Sequence, residues 1–320
     1  MRAFQMISPK TAPALVPLRL PPPGPGELRV RIAACGLNFA DLLMISGRYQ
    51  DTPPLPFTLG MELSGTVETL GPGTTGPAPG TRVAVFAGRG GLADAGNFEA
   101  SRAIPLPDNM NFETAAGFQI AYGTSHVALA YRAALQPAET LVVLGAAGGV
   151  GLTAVEIGKK MGARVIACAR GADRLEVARK AGADVLLDSE TPDLRGAIKA
   201  EGGADVIYDA IGGATGSAAF GALHTGGRFL VVGFASGSPP EVPLNHLLVK
   251  NIALHGLYWG GYLALAPNVM RDSLQTLLGW YAKGALAPHV GAQFPLERAA
   301  EALEMLRARR STGKIVVTMA

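Results

Sequence analysis

The chain has 320 residues, 48% of them apolar, and its 28 basic and 25 acidic side chains leave a formal charge of only +3. That length supports a large core in two domains, and an even charge without basic runs or basic-aromatic alternation excludes a nucleic-acid surface. Mean hydropathy is positive because Ala, Gly and Pro raise it, but no stretch of about 18 uninterrupted apolar residues exists, so no membrane span is expected. The start MRAFQMISPK lacks the unbroken apolar region of a signal peptide. Cys35 and Cys168, the only two cysteines, lie far apart in apolar segments, which points to a reducing, cytoplasmic compartment without disulfides.

From Met1 to about Gly117 the sequence consists of short strand-like runs, ELRVRIAACGL, ELSGTVETL and TRVAVFA, separated by turns such as PPPGPGE and GPGTTGPAPG. This reads as a β-rich unit. A helical bridge follows over 121–135, and then strands and amphipathic helices alternate. The strands are LVVLGA, RVIACA (Arg164 to Ala169), DVLLD (Asp184 to Asp188), DVIYDA (Asp205 to Ala210), RFLVVGF (Arg228 to Phe234) and IALHGL (Ile252 to Leu257). Six strands with intervening helices form a doubly wound parallel sheet, which receives ligands at the carboxyl ends of its strands. The tail is a helix over 296–309 followed by GKIVVTM; it is not another βα unit and can return to complete the first domain.

The segment from Leu141 to Gly151, LVVLGAAGGVG, is a buried strand that breaks into glycines and resumes as a helix. Such a turn presents unpaired N–H groups and a helix dipole to an anion, as a dinucleotide pyrophosphate requires. The pattern reads Ala146-Ala147-Gly148-Gly149-Val150-Gly151. Gly148 permits close approach of the pyrophosphate, and Gly151 permits packing of helix on strand. At the end of the next strand, where an acidic residue would bind the NAD ribose, stands Arg170, with Arg174 one helical turn on. Arginine pairs with a 2′-phosphate, so NADP(H) is expected rather than NAD. The five histidines show no ligand-like spacing, and no G-x-S-x-G elbow or P-loop lysine is present.

These features, together with PFTLGMELSGTV, PGTRVAV, AAGFQIAYGTSHVAL, GGRFLVVGFASG, NHLLVKNIALHGLYWGG and RRSTGKIVV, resemble the medium-chain dehydrogenase/reductase superfamily over essentially the whole chain. Within it they resemble the zinc-independent NADPH:quinone oxidoreductase group, although Glu156 stands where that signature usually has Gln. The resemblance implies an α/β protein in which a GroES-like β-rich catalytic domain (1–120 and 258–320) surrounds a Rossmann doubly wound parallel sheet (121–257). The positions matching the zinc ligands of related dehydrogenases are Asn38, Met61 and Ala116, which do not make a zinc donor set. No cysteine loop for structural zinc occurs between Phe86 and Ser101.

Without a Lewis acid, the accessible chemistry is hydride transfer to an acceptor that is already electron-poor. The resemblance implies Asn38 and Tyr49 as hydrogen-bond donors to that acceptor, with Asp41 stabilising local structure. Tyr122, Gly233, Phe234, Ala235 and Lys314 are implied as cofactor contacts, bordered by Asn245 and Lys250. Three functions fit: an NADPH-dependent quinone reductase, an alkenal, enone or acryloyl-CoA-type ene reductase, and an NADPH-binding protein with little turnover. A CoA substrate would want Arg48, Arg89 and Arg102 to converge beside Tyr49. The apolar edge segment KNIALHGLYW, with the resemblance, implies a homodimer.

Overall fold

The computed structural model describes residues Met1–Met319. It divides into two units: one is Met1–Ile120 together with the chain from Leu278 onward, and the other is Ala121–Leu277.

The first unit is β-rich. A small antiparallel sheet holds β1 (Arg2–Met6) between β2 (Ala14–Pro17) and β4 (Phe57–Thr58). The main sheet contains β3 (Glu27–Gly36), β5 (Glu62–Leu70), β6 (Arg82–Phe86), β7 (Ala95–Glu99) and β8 (Ala103–Pro105). As expected, the tail returns to it, supplying β15 (Val290–Pro295) and β16 (Lys314–Thr318). The order is β15-β16-β3-β5-β6-β8. β7 lies along Glu27–Arg31 of β3, while β16 pairs antiparallel with its last residues, Ala34–Gly36. Alternation in β3 sends Leu28, Val30 and Ile32 into a core with Leu63, Val67, Val83 and Val85, as a half-solvated sheet requires. Helix α1 (Phe39–Ile45) leaves the end of β3, and α2 (Phe112–Ala116) leads to α3 (Gln119–His126).

The second unit is a six-stranded parallel sheet. Its strands are β9 (Thr140–Leu144), β10 (Arg164–Ala169), β11 (Val185–Asp188), β12 (Ala204–Asp209), β13 (Leu223–Val231) and β14 (Ala253–Gly256). Their order, β11-β10-β9-β12-β13-β14, reverses direction at β9, creating the switch point where α/β sheets bind ligands. Helices α4 (Gly149–Lys160), α5 (Ala172–Lys180), α6 (Leu194–Ala200), α7 (Gly213–Phe220) and α8 (Leu244–Lys250) separate successive strands. Val142, Leu144, Ile166, Ile207 and Phe229 are fully buried; parallel strands covered on both faces read as continuous apolar runs for this reason.

Two details depart from the sequence reading. The bridge is not one regular helix, because a π-helical stretch, Val127–Arg132, follows α3. The second unit also keeps residues 258–277, assigned above to the first domain. Trp259 packs so closely on α3 that a Cβ on Gly123 would lie 2.6 Å from its ring, Tyr262 stacks edge-on against Tyr131, and Ser273 bonds His126. Strand pattern alone could not reveal these attachments. Short helix α9 (Tyr262–Leu265) and long helix α10 (Pro267–Ala282) carry the chain back, and α11 (Ala299–Arg307) precedes β16.

At the amino-terminal end of the parallel sheet, His224 bonds Asp205 through Nδ1 (2.9 Å) and the Gly202 carbonyl through Nε2. Both acceptors favour the imidazolium, the Asp205 bond most, so its pKa is raised above 6.5. A raised pKa stabilises the fold fully below the unfolded value, and the contribution is lost as pH climbs through the folded value. Thermal unfolding of wild type and His224→Ala is therefore expected to differ most at about pH 6 and to converge near pH 9; a constant difference would contradict the assignment.

Candidate active site and nucleotide cradle

In the first unit, β3 ends at Gly36 and the chain turns into α1 with Asn38 as N-cap. The Asn38 N–H donates to Asp41 Oδ2 (2.8 Å), while Asp41 Oδ1 accepts the Gly60 N–H (3.1 Å). Asp41 is fully buried, and burial pushes its carboxyl up to about 6 against those two bonds and the nearby Lys314 charge. Beside it lies Glu62, also fully buried. Its Oε1 accepts from Asn38 Nδ2 (3.0 Å) and Lys314 Nζ (2.8 Å), and its Oε2 accepts the Ile120 N–H (3.0 Å). Lys314 Nζ also donates to the Leu37 carbonyl and to Asn38 Oδ1, both at 2.8 Å.

This cluster corrects two expectations. Lys314 is not a cofactor lysine: it is buried in the β-rich unit, and its three ammonium hydrogens have three acceptors. Asn38 is not an available donor, because its carboxamide gives one hydrogen to Glu62 and the other to the Gly36 carbonyl (3.3 Å). Tyr49 lies half-buried in the turn after α1, with its carbonyl held by the N–H and hydroxyl of Thr52. Asp41 performs the local stabilising role expected of it. Glu62 was missed, although a carboxylate inside the apolar run FTLGMELSG is itself a signal of a buried partner.

The three positions matched to zinc ligands lie close together. Asn38 bonds Glu62, the neighbour of Met61, and Ala116 backs onto Gly36. A committed amide, a thioether and a methyl group do not fit zinc. Among the described residues no three His, Cys, Asp or Glu side chains are grouped to hold a metal ion. Cys35 is buried, and desolvation raises its thiol pKa well above the ordinary value.

In the second unit, β9 passes into α4 through the glycine turn. The tight turn is made by Gly145, at φ +72°, immediately before the Ala146 at which the pattern opens. Ala146 and Ala147 are buried, and the N–H groups of Gly145 and Ala146 donate to the Cys168 carbonyl, tying the turn to β10. A Cβ on Gly151 would stand 2.1 Å from the Gly145 carbonyl oxygen, whereas one on Gly148 would meet only that oxygen, at 3.4 Å. Gly148 caps α4, and the helix pattern leaves the N–H groups of Gly149, Val150 and Gly151 without intrahelical acceptors. That is a cradle for an anion.

Arg170 follows β10 and is exposed, with Glu190 at 3.9 Å as its nearest acid, and Arg174 lies half-buried in the first turn of α5. Beyond β13, the N–H groups of Gly233 and Ala235 donate to the carbonyls of Asp209 and Ala210; Phe234 between them is partly exposed. Tyr122 is buried, and its hydroxyl donates to Glu156, which makes it a strut between α3 and α4 and not a phosphate contact. Lys250 donates to the Leu223 carbonyl at the amino-terminal end of β13, away from the ligand end of the sheet. Arg102 is held bidentately by Glu99.

Residues 24–108 match the family model for the alcohol dehydrogenase GroES-like domain, and residues 149–279 match the model for zinc-binding dehydrogenase. A quinone oxidoreductase-like protein 2 homolog of Nematostella vectensis is 36% identical over 300 residues, covering 92% of this chain and 82% of that protein. The chain belongs to the zinc-independent quinone oxidoreductase group of the medium-chain dehydrogenase/reductase superfamily. Solved members of the quinone oxidoreductase group superpose along nearly their full length. The Thermus thermophilus enzyme, also known as an NADPH complex, has TM-score 0.89 at 32% identity, covering 99% of this chain and 100% of its own. The Escherichia coli enzyme in complex with NADPH has TM-score 0.90 at 28% identity, covering 99% of each chain.

Two substitutions separate the roles of the glycines. Gly151→Ala forces a Cβ into the Gly145 carbonyl and is expected to lower unfolding free energy by about 1–3 kcal/mol. Gly148→Ala should leave stability within about 1 kcal/mol while weakening dinucleotide affinity. Denaturant midpoints and dinucleotide titrations read both. Lys314→Met, which strands the Glu62 carboxylate, should cost about 3–5 kcal/mol. Adding Glu62→Gln should recover part of it; no recovery would show that the ion pair is not the cause.

Proposed function

We propose that this protein is an NADPH-dependent, zinc-independent oxidoreductase that reduces a quinone. The observation that carries this reading is the open glycine cradle followed, at the end of the next strand, by an exposed arginine where an NAD enzyme would place an acid. Residues Gly148–Gly151 hold the pyrophosphate, Arg170 pairs with the 2′-phosphate and Arg174 flanks it. The Gly233–Ala235 turn contributes backbone to the nicotinamide end. Bound NADPH supplies a hydride; a quinone taking that hydride and one proton becomes a hydroquinone. Asn38 is committed to Glu62 and Gly36, and Tyr49 is the other donor to the acceptor oxygen that the resemblance implies. The quinone oxidoreductases of similar sequence and fold support the acceptor class.

The edge strand β14 leaves Ala253, Leu254 and Gly256 exposed, and α8 before it leaves Leu244, Leu248 and Val249 more than two-thirds exposed. These support a homodimer formed through this edge. Both cysteines are buried free thiols, consistent with a reducing, cytoplasmic setting, and among the described residues no helix is long and apolar enough to cross a membrane.

The test is reduced-nicotinamide oxidation with NADPH and NADH against benzoquinone, phenanthrenequinone, an alkenal and acryloyl-CoA. Quinone turnover preferring NADPH is expected. Arg170→Asp should raise the NADPH KM roughly tenfold or more with little change for NADH. Turnover confined to the alkenal or the acyl-CoA would replace the quinone assignment, and unchanged NADPH preference in the variant would remove Arg170 from the site. Light scattering should give the mass of a dimer, reduced by Leu248→Lys.

A further inference from the structure

Glycine turns that bind phosphate carry a conflict. Three of the four residues Gly148–Gly151 are glycine, which loses more conformational freedom on ordering than any other residue, yet their N–H groups must already point at the anion for binding to be strong. Side-chain anchors can supply the missing order, and the second unit holds a buried set of them. Ser125 Oγ lies 2.8 Å from the Val150 carbonyl, 2.8 Å from Thr153 Oγ1 and 3.1 Å from the Tyr208 hydroxyl. Thr153 Oγ1 lies 3.0 Å from the same Val150 carbonyl and 3.0 Å from the Ala121 carbonyl. Ser125 and Tyr208 are completely buried, and Thr153 nearly so.

Hydrogen counting gives the set a direction. Each hydroxyl has one hydrogen. Burial raises the Tyr208 pKa and keeps it a phenol, so it donates to Ser125, the only acceptor within reach that the network offers it. Ser125 then donates to Val150 and accepts from Thr153 as well, the Ala121 and Val150 carbonyls being the other acceptors in reach of the Thr153 hydroxyl. The relay runs from the sheet (Tyr208 on β12) through α3 (Ser125) to the first turn of α4. It ends on the peptide that joins Val150 to Gly151, whose N–H faces the open end of the helix.

We propose that Ser125, supported by Tyr208 and Thr153, is a positioning residue for the dinucleotide pyrophosphate, holding the glycine turn in its anion-binding geometry without touching the ligand. This rests on the assignment of that turn to NADPH made above. Sequence carried no sign of it, since Ser125, Thr153 and Tyr208 lie in three separate segments.

The test measures dissociation constants by fluorescence for NADPH, NADH and adenosine 2′-monophosphate, which keeps the 2′-phosphate and lacks the pyrophosphate. Because Ser125→Ala alone orphans the Tyr208 hydroxyl, it is paired with Ser125→Ala/Tyr208→Phe, which removes both groups. Tyr208→Phe alone keeps the Ser125 tether. Both Ser125 variants should bind NADPH and NADH about five- to tenfold more weakly, with the NADPH/NADH ratio and adenosine 2′-monophosphate affinity unchanged; Tyr208→Phe should lose less. Equal weakening for adenosine 2′-monophosphate would mean general damage and overturn the proposal, as would unchanged NADPH and NADH affinities. Failure of the wild-type protein to bind either NADPH or the monophosphate would overturn the cofactor reading itself, and the proposal with it.

Discussion

A single buried carboxylate closes the β-rich unit. Glu62 receives hydrogen bonds from Asn38 at the start of α1, from Lys314 at the start of β16 and from the Ile120 N–H in the first turn of α3. Lys314 and Glu62 are 252 residues apart in the chain, so this contact joins its two ends. Desolvating such a pair is expensive, and it is retained only where further hydrogen bonds satisfy both charges, as they do here. Two carboxylates, Asp41 and Glu62, share the interior with one ammonium. Asp41 makes no hydrogen bond to that cation, and burial pushes its carboxyl up to about 6.

The nucleotide-binding unit relies mainly on backbone groups for the same purpose. Parallel strands bring the turns after β9, β10, β12 and β13 to one end of the sheet. Backbone bonds then lock turn to turn. Gly145 and Ala146 donate to Cys168, and Gly233 and Ala235 donate to Asp209 and Ala210. Asp209, at the end of β12, accepts the N–H groups of Ile211 and Gly212 at 2.8 Å each. Backbone at the ligand end is therefore held by other backbone and by the buried Asp209 side chain, while Arg170 stays exposed at the rim.

Much of this was legible in sequence because it rests on local pattern. Apolar runs gave the six parallel strands, with β10 found at Arg164–Ala169 as expected. The returning tail was visible because GKIVVTM lacks the βα rhythm. What sequence hid depends on contacts between distant residues. The resemblance implies Asn38 and Lys314 as ligand contacts; only the fold reveals that they satisfy each other and Glu62. The pattern that opens at Ala146 locates Gly148 and Gly151, whereas the residue of positive φ in the turn is Gly145, just before that pattern. The resemblance implies 258–277 as part of the first domain, whereas Trp259, Tyr262 and Ser273 attach them to the second unit.

The strand order of the first unit also sets a timetable for the nascent chain. Residues Ala34–Gly36 of β3 pair with β16, which leaves the ribosome after the whole parallel sheet. Until it emerges, that edge of β3 has no partner and Glu62 lacks its ammonium, whereas the whole parallel sheet lies within the contiguous stretch Ala121–Leu277. Translation thus finishes the middle of this protein before its beginning, and the amino-terminal strands must wait with an open edge, the state most exposed to pairing with other chains.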